Sequence, residues 1–196
     1  FYFVLEFVDG MKLGQLIQSR GGPLSLEEAA PIMLGTLDGL AYAHCATITM
    51  EIVKGKNTYT GIVHRDLKPH NILLARKEEG WFPKVTDFGI SKSFESAGFT
   101  NITVPGEVLG TPMYWPREQI THYKYLNPAT DVFSAAAVFY EALTGEWVRE
   151  GFKALLEECR QLKCLPTIPD YMNVIAGNHV IPIRKRNPAI PKPIAE

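Results

Sequence analysis

The sequence predicts one α+β domain that is mainly helical, with short β-hairpins near its middle. Apolar residues recur at helical spacing in several segments, and β-forming runs separated by turn residues lie between those segments. The 196 residues, of which 46% are hydrophobic and 21% charged, are enough for one domain with a buried core. The chain contains no internal repeat, so a repeat architecture is excluded.

The chain begins with a predicted strand and a short predicted helix. Phe1 to Val8 is rich in β-forming residues and ends at the turn signal Asp9-Gly10. Such an apolar run resembles an interior strand that lacks its neighbour, which suggests that the chain is a fragment. Met11 to Gln18 has apolar residues at helical spacing and predicts a helix.

A long helix is predicted next. Ser25 and Glu28 have the spacing of a capping box, and apolar residues follow at helical intervals as far as Ala43. Pro31 lies too far from the start to be the first helical residue, so a local irregularity is expected there.

Two hairpins and a long loop are predicted in the middle of the chain. Thr47–Val53 and Thr58–Val63 are β-like and resemble an inserted hairpin on the surface. Ile72–Leu74 and Lys84–Thr86 predict a second strand pair. Phe88 to Arg117 is rich in Gly, Pro, Ser and Thr and predicts a loop.

The last third is predicted to contain two helices and an irregular tail. Asp131 to Thr144 is an apolar helix closed by Gly145, and Gly151 to Lys163 is an amphipathic one. The many prolines after Pro166 predict mainly irregular chain.

Composition excludes several classes of function. A net charge of −1 gives no electrostatic support for nucleic-acid binding. The three cysteines, Cys45, Cys159 and Cys164, argue against a disulfide framework and favour a reducing compartment, so a cytoplasmic location is expected. The longest apolar stretch is too short to cross a bilayer, and no signal peptide is visible.

Three clusters carry the chemistry. They are His64-Arg65-Asp66-Leu67-Lys68-Pro69-His70-Asn71, Asp87-Phe88-Gly89, and Gly110-Thr111-Pro112-Met113-Tyr114 followed by Pro116-Arg117-Glu118. Each cluster alone is most simply a structural turn or loop. Their joint occurrence, in this order and separated by a predicted strand pair, is specific.

These residue types match the needs of phosphoryl transfer, which depends mainly on positioning and electrostatics. Asp66 can accept the proton of an attacking hydroxyl, and Lys68 can place a positive charge on the γ-phosphate. Asn71 can give Mg²⁺ a neutral oxygen ligand, and Asp87 can give it an anionic one.

On these motifs the chain resembles the protein kinase family from Phe1 to about Glu196. The resemblance implies ATP and Mg²⁺ as cofactors and a kinase-like fold, with residues 1–8 as the last N-lobe strand and hinge and residues 9–196 as an incomplete, mainly helical C-lobe. Lys68 and Thr111 imply a serine/threonine kinase, with Thr111 hydrogen-bonded to the base and the lysine. Pro116-Arg117-Glu118-Gln119 is similar to bacterial members.

The resemblance also implies roles for residues outside the motifs' reacting groups. Leu5 is the implied gatekeeper, and the Glu6 carbonyl and the Val8 amide are implied to face the adenine edge. Leu73 is implied to lie under the adenine ring, and Thr86 to belong to the same nucleotide site. His64 is implied to be structural, Arg65 to pair with an acid of the activation segment, and Asp131 to brace the loop that carries Asp66.

The sequence departs from the family pattern in two ways. It contains no G-x-G-x-x-G phosphate loop, and it lacks the closing helices whose arginine pairs with the glutamate matched by Glu118. The 196 residues alone are therefore expected to be poorly stable, to expose apolar surface and to transfer no phosphate.

Regulation is expected in the activation segment. Glu107 lies four residues before Thr111, where related kinases carry a phosphothreonine, and could pair with Arg65; a solvated loop glutamate is an equal alternative. Thr100 and Thr103 are the candidates for phosphorylation.

Three functions remain open at this stage. The first is ATP-dependent phosphorylation of serine or threonine on protein substrates. The second is a pseudokinase-like docking module, which the presence of Asp66, Lys68, Asn71 and Asp87 disfavours. The third is a small-molecule kinase, which the Gly-Thr-Pro loop disfavours. Dimerisation is left open.

Overall fold

The computed structural model describes residues 4–52, 55–88, 111–121 and 126–195. Its strands are β1 (Gly10–Lys12), β2 (Thr47–Ile52), β3 (Gly55–Thr60), β4 (Ile72–Lys77) and β5 (Gly80–Val85). Its α-helices are α1 (Leu13–Arg20), α2 (Leu26–Cys45), α3 (Glu118–Thr121), α4 (Pro128–Thr144), α5 (Phe152–Leu162), α6 (Ile168–Gly177), α7 (Ile183–Arg186) and α8 (Lys192–Ala195). Short 3₁₀ turns cover Pro69–Asn71 and Pro112–Tyr114.

Helix α2 forms as its sequence predicts. The Ser25 hydroxyl accepts the Glu28 amide at 3.2 Å, and the Glu28 carboxylate accepts the Ser25 amide at 3.3 Å, which completes the capping box. The helix continues through Pro31 to Cys45. Its buried face is formed by Ala29, Ile32, Met33, Thr36, Leu40 and Ala43.

Both predicted hairpins form, but β3 and β5 begin earlier than predicted, at Gly55 and Gly80 in place of Thr58 and Lys84. Strands β2 and β3 pair antiparallel as a separate ribbon, and β4 and β5 pair antiparallel with Ile72 opposite Val85. Strand β1 adds to β4, with Met11 opposite Leu74, so the sheet order is β1-β4-β5. The predicted helix over Met11–Gln18 therefore begins slightly later, at Leu13.

The predicted strand over Phe1 to Val8 is wrong for residues 4–8, which form no strand. A strand needs a backbone partner, and in the described part of the chain β4 pairs only with β1 and β5. The approach of β1 to β4 is close, because a Cβ atom on Gly10 would lie 1.8 Å from the Leu74 carbonyl oxygen.

The predicted irregular tail is wrong in part, because α6, α7 and α8 lie within it. Thr167 and Asp170 form a capping box at the start of α6, where the Asp170 carboxylate accepts the Thr167 amide at 2.7 Å. Pro169 and Pro193 each occupy the second residue of a helix. Prolines are tolerated there because the first-turn amides have no partner within the helix.

Helix α4 runs through the core. Asn127 caps it by accepting the Ala129 amide at 2.9 Å, and it ends at Thr144, followed by Gly145, whose φ of 70° is left-handed. It is joined to the segment before α2 by the hydrogen bond from the Leu24 amide to the Ala142 carbonyl. The most deeply buried apolar side chains of the molecule include Ile72, Leu74, Val138, Leu143, Phe152 and Ile175.

None of the helices in the described ranges combines the length and the hydropathy that a membrane crossing requires.

Candidate active site

The loop His64–Asn71 is anchored to helix α4 by Asp131, whose side chain is completely buried. One carboxylate oxygen of Asp131 accepts the His64 amide at 2.7 Å and the His44 ring Nε2 at 2.7 Å. The other oxygen accepts the Arg65 amide at 2.8 Å. Asp131 lies in the first turn of α4, which begins at Pro128, and it orders the backbone just before Asp66.

His64 has a structural position. Its Nδ1 accepts the Asp66 amide at 3.2 Å, so the ring proton belongs to Nε2, which donates to the Thr86 carbonyl at 2.8 Å. The ring is buried and lies 4.8 Å from the centre of the Phe88 ring. His64 therefore links the loop to the end of β5.

Arg65 has a left-handed backbone with a φ of 69°. Its amide is held by Asp131, and its carbonyl accepts a 2.6 Å hydrogen bond from the side chain of Gln119. Gln119 is 1% exposed and lies in α3, far along the chain. Sequence reasoning missed Gln119, because only the folded chain shows that its amide reaches this strained turn.

Asp66 has a donor on each carboxylate oxygen. Oδ2 lies 3.0 Å from the Lys68 ammonium, and Oδ1 accepts the Thr111 backbone amide at 3.1 Å. The two charged side chains keep about a quarter of their surface exposed, so they remain accessible. The Thr111 contact differs from the expected one, because the backbone amide makes it and not the hydroxyl.

Asn71 closes the loop on itself. Its side-chain nitrogen donates to the Asp66 carbonyl at 2.8 Å, which fixes the amide and leaves Oδ1 as its acceptor atom. Its carbonyl accepts the Thr86 amide at 3.0 Å, just beyond the β4–β5 ladder. The ladder therefore brings the end of the loop beside the residue that precedes Asp87.

Asp87 is exposed and has a φ of 59°, a left-handed conformation that aspartate adopts more readily than most residues. Its carboxylate makes no hydrogen bond to the described residues. Asn71 and Asp87 together offer one amide oxygen and one carboxylate, a hard donor set that suits Mg²⁺ bound with phosphate. The described ranges contain no cluster of three His, Cys, Asp or Glu side chains that could hold a metal without such a ligand.

The residues assigned to the nucleotide are distributed around the three-stranded sheet: Leu5, Glu6 and Val8 precede β1, Leu73 lies in β4, and Thr86 follows β5. Leu5 is 71% exposed, and the Glu6 carboxylate is paired with the Lys84 ammonium at 2.6 and 2.8 Å. Leu73 lies in β4, between Lys12 of β1 and Lys84 of β5. The Glu6 side chain is thus engaged, while the expected contact to adenine uses its backbone carbonyl.

A separate cavity of about 560 Å³ lies at the end of α2. None of the residues assigned to the nucleotide lines it. Its walls come from the last turns of α2 and from Ile62, Val85 and Phe88.

Glu118, expected to lack a partner, has a cation nearby. Arg149 is 4% exposed, donates to the Trp115 carbonyl at 2.9 Å and lies 5.0 Å from the centre of the Phe133 ring. Burial and the charge of Arg117 lower the pKa of Arg149, and the Glu118 carboxylate opposes that shift. Arg149 is therefore close enough to Glu118 for the two charges to interact.

Tyr114 ties the segment after Thr111 to helix α4. Its hydroxyl donates to the Glu141 carboxylate at 2.6 Å, and its carbonyl accepts the Ser134 hydroxyl at 2.9 Å. Burial raises the pKa of both Tyr114 and Glu141. Glu141 is not recognisable from the sequence, where its only signal is a carboxylate within an apolar helix.

Glu107, Thr100 and Thr103, with the rest of residues 89–110, lie outside the described residues.

Comparison with known proteins identifies the family of this chain. The model of the protein kinase domain family matches residues 1–179. The chain belongs to the protein kinase family.

Three curated relatives from bacteria illustrate the similarity. The chain is 35% identical over 162 residues to the serine/threonine-protein kinase PknA of Mycobacterium tuberculosis, covering 83% of this chain and 32% of PknA. It is 35% identical over 144 residues to the probable serine/threonine-protein kinase PknB of Bifidobacterium longum, covering 74% and 18%. It is 32% identical over 145 residues to PknB of Mycolicibacterium smegmatis, covering 74% and 20%. The chain thus spans a third or less of the length of these relatives.

Proposed function

We propose that the complete protein containing this chain transfers phosphate from ATP to serine and threonine hydroxyls of protein substrates. The proposal rests on the arrangement around Asp66. Lys68 lies beside one oxygen of its carboxylate, the Thr111 backbone amide donates to the other, and Asp131 holds the backbone just before it in the loop. The names of the relatives, all serine/threonine-protein kinases, support the same activity.

Asp66 is the proposed general base. Its carboxylate orients the substrate hydroxyl and accepts its proton, while Lys68 offsets the negative charge that develops on the transferred group. The Thr111 amide holds the carboxylate in place, and the Asn71 side chain holds the Asp66 backbone. The reacting oxygen is thereby aligned before the reaction begins.

Asn71 and Asp87 are the proposed Mg²⁺ ligands. When bound, Mg²⁺ supplies charge neutralisation on the phosphates of ATP. Neither the Asn71 Oδ1 nor the Asp87 carboxylate accepts a hydrogen bond from the described residues. Leu5, Glu6, Val8, Leu73 and Thr86 are proposed to line the adenine side of the same site.

The 196 residues by themselves are proposed to be inactive. Their sequence carries no G-x-G-x-x-G loop, so no backbone cradle for the phosphates is encoded in it. Arg65 is proposed to receive an acid from the activation segment, with Glu107 as that acid and with Thr100 and Thr103 as phosphorylation sites.

The test uses the complete protein, γ-labelled Mg-ATP and a generic protein substrate. We expect label on serine or threonine, reduced by about a hundredfold or more in Asp66→Asn, because a positioned general base contributes that much. Asp38→Asn, a change of the same chemistry at an exposed position of α2, should leave the rate unchanged.

Two further outcomes of this assay decide the finer points. Absence of label from folded wild-type protein contradicts the proposal and favours the docking-module function. If the Glu107→Ala variant transfers phosphate at the full wild-type rate, Glu107 does not act as the acid for Arg65. That result would not affect the role proposed for Asp66.

A further inference from the structure

The C-terminal end of α5 brings two cysteines together. Lys163 has a left-handed φ of 54°, and its amide donates to the Arg160 carbonyl at 3.3 Å. The Cys164 amide donates to the Cys159 carbonyl at 3.0 Å. These two bonds form a Schellman motif, in which the residue after the left-handed position contacts the residue five positions earlier. In this chain both of those positions are cysteine.

The backbone hydrogen bond limits how far apart the two residues can be. An amide nitrogen lies about 1.5 Å from its own Cα, and a carbonyl oxygen about 2.4 Å from its own, so a 3.0 Å bond places the Cα atoms of Cys159 and Cys164 within about 7 Å. Disulfides join Cα atoms that are roughly 4.4–6.8 Å apart. The turn therefore brings the two residues to the range that a cross-link needs.

The two thiols lie in different environments. Burial, and after it a hydrogen bond with the Cys164 thiol, raises the pKa of the Cys159 thiol, and the carboxylates of Asp170 and Glu158 act in the same direction. Cys159 is 7% exposed, whereas Cys164 is exposed. The Cys164 thiol is thus accessible to solvent, whereas the Cys159 thiol is shielded from it.

We propose that Cys159 and Cys164 form a reversible redox pair that is oxidised by hydroperoxides. The Cys164 thiolate attacks one oxygen of hydrogen peroxide, which becomes the hydroxyl of a sulfenic acid on Cys164, while the O–O bond breaks and the other oxygen leaves as hydroxide. The Cys159 sulfur then attacks the Cys164 sulfur, its proton passes to the departing hydroxyl, and water leaves as the S–S bond forms. Two electrons pass from the sulfurs to the peroxide, and a dithiol reductant returns them.

This proposal is independent of phosphoryl transfer. The pair lies at the α5–α6 junction, where burial, and after it the charge of Cys159, raises the pKa of the Tyr171 hydroxyl in α6. Cys45, at the end of α2, belongs to neither helix and provides an internal control.

The experiment is peroxide treatment of the complete protein, alkylation of the remaining thiols, tryptic digestion and mass spectrometry. Trypsin cleaves after Lys153, Arg160, Lys163 and Arg184, so the two cysteines fall in separate peptides, residues 154–160 and 164–184. We expect these peptides as one cross-linked species that a dithiol separates. Cys45 should be recovered alkylated.

Variants test the order of the steps. Cys164→Ser, at the exposed position, should abolish the cross-linked species, and Cys45→Ser should leave its yield unchanged. A sulfenic-acid probe such as dimedone should label Cys164 in the Cys159→Ser variant. That labelling should be several-fold stronger than the labelling of Cys159 in the Cys164→Ser variant. Recovery of both cysteines as alkylated thiols after peroxide, or cross-linking of Cys45 as often as Cys159, overturns the proposal. If Cys159→Ser fails to fold, the cross-linked peptide pair in wild type and its loss in Cys164→Ser still decide it.

Discussion

At the scale of single residues, Asp131 orders the loop that holds Asp66. It is fully buried and accepts hydrogen bonds from the His64 amide, the Arg65 amide and the His44 ring. Three donors around a buried carboxylate compensate for the cost of removing it from water. The loop conformation therefore depends on both oxygens of this side chain.

We predict that Asp131→Asn lowers the free energy of unfolding by about 3 kcal/mol. The amide nitrogen of Asn is itself a donor, and it would replace a carboxylate oxygen that accepts a hydrogen bond. Urea unfolding measures this loss. Asp38→Asn, exposed on α2, should change stability by no more than about 0.5 kcal/mol. Equal stability of the two variants would contradict the role given to Asp131.

Glu141 should make stability depend on pH. Burial raises the pKa of its carboxyl above the ordinary 4.5, and the hydrogen bond from the Tyr114 hydroxyl opposes that shift. Because this pKa is higher in the folded state, the unfolded chain loses the proton at a lower pH than the folded chain does. The contribution of Glu141 to stability is therefore complete below pH 4.5 and is lost as pH rises through the folded-state pKa.

We predict that the stability of wild type relative to Glu141→Gln falls as pH rises from about 4.5 towards neutrality. Tyr114→Phe, which removes the hydrogen bond that lowers the pKa, should enlarge the fall. Urea unfolding at a series of pH values measures both. A relative stability that rises with pH in this range would show that Glu141 is not held in the protonated form.

The sequence suggests candidates for the reacting groups but gives no sign of the residues that act through contacts. Asp66, Lys68, Asn71 and Asp87 are recognisable because their spacing matches a chemistry. Gln119, Glu141 and Arg149 were missed because their importance arises only where distant segments meet. A glutamine on a short helix carries no local sign that its amide will reach the carbonyl of Arg65.

At the scale of elements, local signals predicted what local physics determines. The capping box starts α2 at Leu26, and the β-forming runs predict both hairpins, although Gly55, Lys56 and Asn57 of the predicted first turn lie in strand β3. The tail was misjudged because its prolines were counted as breakers, although Pro169 and Pro193 occupy helix starts. Strand β1 was missed because three residues carry too little periodicity to reveal a strand.

We predict that Gly10→Ala disturbs the pairing of β1 with β4. The new Cβ would lie 1.8 Å from the Leu74 carbonyl oxygen, which is backbone and cannot rotate away. Overpacking of this kind costs about 1–3 kcal/mol, measured as a loss in the free energy of unfolding. Gly22→Ala is the matched control, because its Cβ would meet nothing within 4 Å. A Gly10→Ala variant as stable as Gly22→Ala would contradict the close approach.

At the scale of the whole molecule, apolar side chains are divided between a core and an uncovered surface. Leu13 and Leu16 are buried where α1 meets the sheet, at 2% and 4% exposure. Val4, Leu5 and Phe7, only a few residues earlier, are 88%, 71% and 88% exposed. The expectation that the chain exposes apolar surface therefore agrees with these residues.

We predict that replacing Val4, Leu5 and Phe7 by serine in the 196-residue chain lowers binding of a hydrophobic-surface dye while leaving the free energy of unfolding within about 0.5 kcal/mol, because these side chains contribute little burial. Dye fluorescence and urea unfolding measure the two effects. Leu13→Ser is the opposite control: it places a hydroxyl at a buried site and should cost about 3 kcal/mol or more. A triple variant as destabilised as Leu13→Ser would show that residues 4–7 pack against the core in solution, and the exposed surface would then have to lie elsewhere on the molecule.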